Sequence, residues 1–351
     1  MRWFSLLLTL ILPSLSLAAS PFLGVITPRG GQRGTEVEFH FHGARLKDVQ
    51  EILCYTPGFT VGKIDVVNDN VIKTKIQIAA DARLGQHCFR VRTASGVSDL
   101  KTIFVGALPE ITEKEPNNDF KAPQPISLNV TVNGTIENED VDYFSVECKK
   151  GQRLSVEIEG MRLANQTVFD PAIAILNSKR FEIATSDDSA FAAQDGVMSV
   201  IIPEDGVYTI MVRETSYGGN GECRYRLHVG TFPRPVACMP AGGKPGEEIE
   251  ITFLGDASGP IKQKVQLPAT MEPNFGLFVQ DEGGISPSPL PFRLSPLSNF
   301  VESEPSEFSK PNVVDVNTQA INGTISKPGE NDFYRFKASK GQVFDVHCYG
   351  R

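Results

Sequence analysis

The pentapeptide VNGTI at 132–136 returns almost unchanged as INGTI at 321–325, and the match runs well beyond five letters. Upstream, EKEPNNDF (113–120) lies over ESEPSEFS (302–309), which sets Glu115-Pro116 on Glu304-Pro305. Downstream, DVDYFSVECKKGQ (140–152) lies over ENDFYRFKASKGQ (330–342) after one inserted residue, so Asp142, Gly151 and Gln152 fall on Asp332, Gly341 and Gln342. Earlier in the chain, PRGGQRGTEVEFHFHG (28–43) matches PAGGKPGEEIEITFLG (240–255). A repeat of roughly two hundred residues is too long for a solenoid and has the size of tandem domains. Arg351 aligns with Met161, so the second copy lacks the equivalents of 162–230. Half a sandwich leaves strand edges bare, so 321–351 are expected to be poorly ordered, or the natural chain to be longer.

Short β-rich runs separated by turns, with 31 glycines and 24 prolines, predict an all-β chain of tandem sandwiches. In TEVEFHFHG the alternation turns Val37, Phe39 and Phe41 inward and Glu36, Glu38, His40 and His42 outward. Residues 1–18 read as a signal peptide, with Arg2, a short apolar run and the small-x-small end Ser16-Leu17-Ala18. That run is too short to span a bilayer. The mature chain holds no later apolar run of transmembrane length. The expectation is an exported protein, whether secreted, periplasmic or at the cell surface. A formal charge of −8 with no basic cluster argues against nucleic acid as a partner.

Six cysteines in an exported chain suggest disulfides. Alternation turns Cys148 of DYFSVEC and Cys223 of CRYRLHV into one core, which suggests a Cys148–Cys223 bond, and Cys54 is paired with Cys88 in the first domain. Buried thiols are the alternative, since cysteine packs as a small hydrophobe. Cys238 and Cys348 are left unassigned.

Residues 19–107, opening with ITPRGGQRGTEVEFHFHG and closing with GQHCFRVRTASGVSD, resemble the immunoglobulin-like IPT/TIG domain. Residues 108–230 resemble the bacterial pre-peptidase C-terminal (PPC) domain, a jelly-roll-like sandwich. EPNNDF, VNGTIENEDVDYFSVECKKGQRLSVEIEG, FDPAIAILNSKRFEIATSDDS and IPEDGVYTIMVRE carry the likeness. Residues 231–300 look like a second, shortened Ig-like domain with a Pro-rich linker. Residues 301–351 look like the first part of a second, truncated PPC domain. The Pro-containing stretches 106–116 and 231–240 read as linkers, and 283–308, with its prolines, as a domain edge plus linker.

An acidic constellation is the sharpest candidate site. Glu113, Glu115, Asn117, Asn118 and Asp119 crowd one short segment, and Asp140 and Asp142 come from a turn expected nearby. Calcium takes six to eight oxygen ligands in flexible geometry, which carboxylates and Asn carbonyls from two loops can supply. Resemblance to the collagen-binding relatives of the PPC family implies calcium between the entering segment and this turn. The alternative is a solvated linker with Asx-turns. In the second copy Ser306-Glu307 replaces Asn117-Asn118 and Glu330 replaces Asp140, which weakens the expectation there.

Other polar groups point less clearly. TSDDS (185–189) with Asp170 and Asp195 reads as turn chemistry. His40 and His42 with Glu38 lack an evident third zinc ligand. The Asn133-Gly134 and Asn322-Gly323 pairs read as tight hairpin turns, and the sequons at Asn129, Asn133, Asn165 and Asn322 are given no role. The chain has five histidines and no G-x-S-x-G, H-E-x-x-H or P-loop, so it is read as non-enzymatic. Three functions stay open: a binding or spacing protein whose partner is an extracellular protein or polysaccharide, accessory modules of a secreted peptidase, and a collagen- or carbohydrate-binding adhesin.

Overall fold

The strand Glu36–Ala44 folds as its alternation predicts, with Phe39 and Phe41 buried and Glu36 and Glu38 exposed. A computed structural model describes residues 19–165 and 167–350. The signal peptide of 1–18 lies outside the described residues.

Residues 22–106 form two packed sheets. One orders Phe22–Thr27, Glu36–Ala44, Val71–Ile78 and Phe59–Asn68, all antiparallel. The other orders Gly30–Gln32, Lys101–Gly106, Gly85–Thr93 and Val49–Cys54, its first pair being parallel. Between them lie Phe39, Phe41, Ile72, Ile76, Phe89 and Val105. The free edge strand Phe59–Asn68 carries Lys63 and Asp65 and irregular register, features that discourage pairing with another chain.

The second module is a sandwich of two five-stranded sheets. One orders Glu110–Thr112, Val130–Thr135, Arg224–Gly230, Arg153–Glu159 and Val197–Ile201. The other orders Gln124–Pro125, Val141–Cys148, Gly206–Glu214, Pro171–Leu176 and Glu182–Ser186. Phe144, Val146, Leu154, Val156, Ile210, Tyr225 and Leu227 fill the core. Asp195 is fully buried and closes the short 3-10 turn Met161–Leu163, accepting the backbone N–H of Gly160 (2.9 Å), Met161 (2.6 Å) and Arg162 (3.2 Å). Asp187 and Asp188 are exposed, and Asp170 accepts the Thr215 hydroxyl at 3.0 Å.

The third module has the three-stranded sheet Ala237–Met239, Glu248–Leu254 and Ile261–Gln266 and several two-residue pairs. Leu290, Phe292 and Leu294 sit in its core, so the first part of the stretch read as a domain edge plus linker is interior. Proline there does not signal exposure, because paired two-residue strands accommodate it at their ends. Phe232 and Arg234, in the other expected linker, are also buried. Beyond it, Ser298–Val301 runs parallel to Gln319–Asn322, and Asn312–Val313 parallel to Tyr334–Arg335. Along 323–350 the only strand among the described residues is Tyr334–Arg335, and Ile325, Val343 and Val346 are exposed.

Neither expected disulfide forms. Cys148 and Cys223 both enter the core, as alternation requires, but at opposite ends of the sandwich. The Cys223 carbonyl accepts the N–H of Ile136, beside the turn that leads into Val141. Cys148 closes the strand that Val141 opens, roughly 23 Å further on at ~3.3 Å per residue. Cys54 lies opposite Phe89, whose ring is in the core, so the adjacent Cys88 points to the other side of the sheet. Alternation fixes the face of a strand and says nothing of position along it.

A candidate metal centre where the second module begins

The strand Glu110–Thr112 runs parallel to Val130–Thr135 and delivers the next residues to the end of the sandwich where Val141–Cys148 starts. There one carboxylate oxygen from each of Glu113, Glu115 and Asp142 lies within 4.8 Å of the other two. Glu113 is held by the N–H of Thr135 at 2.6 Å, and Glu115 accepts the N–H of Asn117 at 3.1 Å. The Tyr225 hydroxyl lies 2.9 Å from Glu113 Oε2 and also beside Asp142 Oδ2.

One phenolic proton cannot serve two carboxylates at once. Burial is the main cause that pushes both Glu113 and Asp142 well above the usual carboxylate range; the negative charge of Glu115 adds to it at Glu113, and that of Glu113 adds to it at Asp142. Asp142 is wholly buried, and among the described residues its Oδ1 has no hydrogen-bond partner. The side chain of Asn117, 1% exposed, likewise has neither amide atom satisfied. Orphaned buried oxygens are costly, and a cation or further protons would relieve them.

Of the seven residues expected from sequence, Glu113, Glu115 and Asp142 converge. Asn118 and Asp140 line an open cleft of about 340 Å³ with Glu113, Glu115, Thr135 and Glu137, while Asp142 is buried and is not part of its lining. Asn117 is buried nearby, its carbonyl accepting the N–H of Tyr143. Asp140 accepts the N–H of Glu137 within its own turn, and Asp119 only caps the N–H of Lys121. Tyr225 was not anticipated as a site residue. Its alternation marks it as inward, but only the pairing of Arg224–Gly230 with Val130–Thr135 puts its hydroxyl at this end.

That pairing also explains the repeated word, and corrects its reading. Asn133 and Gly134 are not a turn; they lie inside the strand Val130–Thr135, where the Asn133 amide donates to Glu110 Oε2 at 2.8 Å. A β-carbon at Gly134 would overlap the Tyr225 phenol and Glu113 Oε2. At Gly323 it would overlap Glu302 Oε2 and the Tyr334 hydroxyl. The glycine is spacing for a carboxylate and a phenol.

The second copy rebuilds the cluster. Glu302, Glu304 and Asp332 come together as their counterparts do, Thr324 N–H on Glu302 and Ser306 N–H on Glu304 (3.0 Å). The phenol comes from a different strand, from Tyr334 rather than a counterpart of Tyr225. His40 and His42, by contrast, belong to neither cluster. His40 meets Glu38 at 3.1 Å and His42 meets Thr27 Oγ1 at 2.9 Å.

Residues 140–214 match the model of the bacterial pre-peptidase C-terminal domain, so the second module carries a PPC domain. No curated protein sequence matches the chain. Among solved structures, the chain is similar to the pre-peptidase C-terminal domain of a collagenase from Bacillus anthracis, at 15% identity and a TM-score of 0.25. That match covers 33% of this chain and 99% of that one. It is also similar to PliG from Aeromonas hydrophila, a periplasmic inhibitor of g-type lysozyme (16% identity, TM-score 0.24, 30% of this chain and 94% of that one). A third is the Bacteroides ovatus protein SGBP-B in complex with a mixed-linkage heptasaccharide (10% identity, TM-score 0.20, 57% and 72%). No helix among the described residues is long and apolar enough to cross a membrane.

Proposed function

We propose that this chain is a non-catalytic exported protein of the bacterial envelope or extracellular space, built from IPT/TIG-like and PPC modules. It binds or spaces an extracellular protein or polysaccharide, and its PPC site takes calcium. The observation that carries the calcium reading is the buried, unpartnered Oδ1 of Asp142 beside Glu113 and Glu115. The donor set is all hard oxygen, which suits calcium rather than zinc or copper. Glu113, Glu115 and Asp142 would hold the ion, with Asn117, Asn118 and Asp140 within the same loops. The ion would supply the positive charge that the single Tyr225 proton does not. Because Glu113 and Glu115 sit in the segment entering the module and Asp142 opens a core strand, binding would fasten the one to the other.

The test is the thermal melt of the full chain in calcium and in chelator. At a calcium concentration about 100-fold above Kd the stabilisation is about 2.7 kcal/mol, which corresponds to a rise of about 10 °C for a module of this size. Asp142→Asn is expected to abolish that rise. Coincident midpoints in saturating calcium and in chelator would sink the calcium reading. A second reading, accessory modules of a secreted peptidase, is favoured by the PPC match itself, because such domains accompany secreted peptidases.

A further inference from the structure

The central part of the outer face of one sheet of the PPC sandwich is turned away from solvent, while Ile201 at its edge stays exposed. Every residue of Arg153–Glu159 is buried, including the four that point away from the core, Arg153, Ser155, Glu157 and Glu159. The Arg153 guanidinium reaches Asp256 at 3.0 Å and Asp281 at 2.8 Å, both in the third module. Glu157 meets Arg234 at 2.9 Å and accepts the Ser288 hydroxyl. Asp256 in turn accepts the N–H of Arg234 at 2.6 Å. Glu159 faces the first module's side, where Arg226 pairs with it and with Glu110 and sits 5.9 Å from the Phe104 ring. Phe278 and Ile285 of the third module also pack on the core of the first.

Buried ion pairs add little net stability over apolar contacts, but they reject any partner that leaves a charge unmatched. Here the matching charges occur together once. By the alignment of the repeat, Phe22 and Ala44 stand in the first module where the third has Arg234 and Asp256. Val343 and His347 stand in the second PPC copy where the first has Arg153 and Glu157.

We propose that this face of the PPC sandwich is a docking surface specific to the third module, which reads Arg153 and Glu157 against Asp256, Asp281 and Arg234. The first three modules are then one rigid body, and the contact does not propagate along the repeat. Any external partner is left the opposite sheet or the acidic cleft.

Carbodiimide labelling of carboxylates in the full chain, read by peptide mass, tests this. In the unaltered protein Glu157 is expected to label at least about tenfold more slowly than exposed Glu182, because labelling requires the modules to open. Asp281→Arg sets a like charge on Arg153 from a partly exposed position. It is expected to raise labelling of Glu157 and leave Glu159, on the first module's side, protected. Labelling of Glu157 at the rate of Glu182 in the unaltered chain would overturn the proposal. So would a folded Asp281→Arg chain in which Glu157 stays protected. If Asp281→Arg does not fold, the comparison within the unaltered chain decides.

Discussion

Gly134 lies directly against the phenol of Tyr225, so close that a β-carbon would have to displace the ring or the Glu113 carboxylate beside it. Gly134→Ala is therefore expected to destabilise the second module by about 1–3 kcal/mol, the usual cost of overpacking a filled site. The calcium response should weaken as well, since Glu113 moves with the ring. A denaturant titration with and without calcium reads both. A midpoint equal to that of the unaltered chain would show that the space is not needed.

The strand faces of this chain were legible in its letters, and so was the acidic site in outline. Phe39 and Phe41, Phe144 and Val146, and Tyr225 and Leu227 all face the cores that their alternation assigns. Glu113, Glu115 and Asp142 were marked out by charge density together with the resemblance to the PPC family. What stayed hidden depends on pairing between distant strands. Cys148 and Cys223 share a core but not an end, and Tyr225 meets Glu113 only through the register of Arg224–Gly230 on Val130–Thr135. Asn133-Gly134 imitates a hairpin turn because the same small residue serves a turn and a tight side-chain approach. The burial of Arg153, Glu157 and Arg234 has no signal in the letters, since a sequence does not show which sheet face a neighbouring module covers.

His87 is 1% exposed and lies between the Thr56 hydroxyl and the Arg83 carbonyl, each at 2.6 Å. Burial lowers its pKa below the ordinary histidine value of 6.5. A depressed value favours the neutral ring in the fold, so its stabilisation is complete above about pH 6.5 and is lost as pH falls below that. Melting of the first module should drop as pH falls below about 6.5, and His87→Gln should flatten that slope. An unchanged slope in the variant would place the acid sensitivity elsewhere.

The thiols of Cys148 and Cys223 are buried in one core without bonding to each other. Burial pushes Cys148 up to about 11 and Cys54 up to about 12, so neither offers much thiolate at neutral pH. Reductant is thus expected to leave the melting of the first two modules unchanged, and alkylation of these two thiols to require denaturant. A fall in midpoint on reduction would restore a disulfide in one of these modules.

Glu157 is wholly buried and is the shared partner of two arginines. Arg162 meets it at 3.0 Å from within the module, and Arg234 at 2.9 Å from the third. Arg162 keeps Asp195 at 2.7 Å if the glutamate is removed. Among the described residues Arg234 has no second carboxylate on its guanidinium; the Ser288 carbonyl lies at 3.1 Å and the Phe191 ring at 4.5 Å. Glu157→Ala should accordingly cost about 3–5 kcal/mol, the penalty for stranding a buried charge. Glu157→Gln keeps the shape and one acceptor and should cost less. Glu157→Met combined with Arg234→Met removes both charges and should recover much of the loss, because paired apolar replacement of a buried ion pair is often neutral. Urea midpoints for the three variants decide it. Equal losses in the single and double variants would mean that packing at this junction, rather than charge matching, holds the modules together.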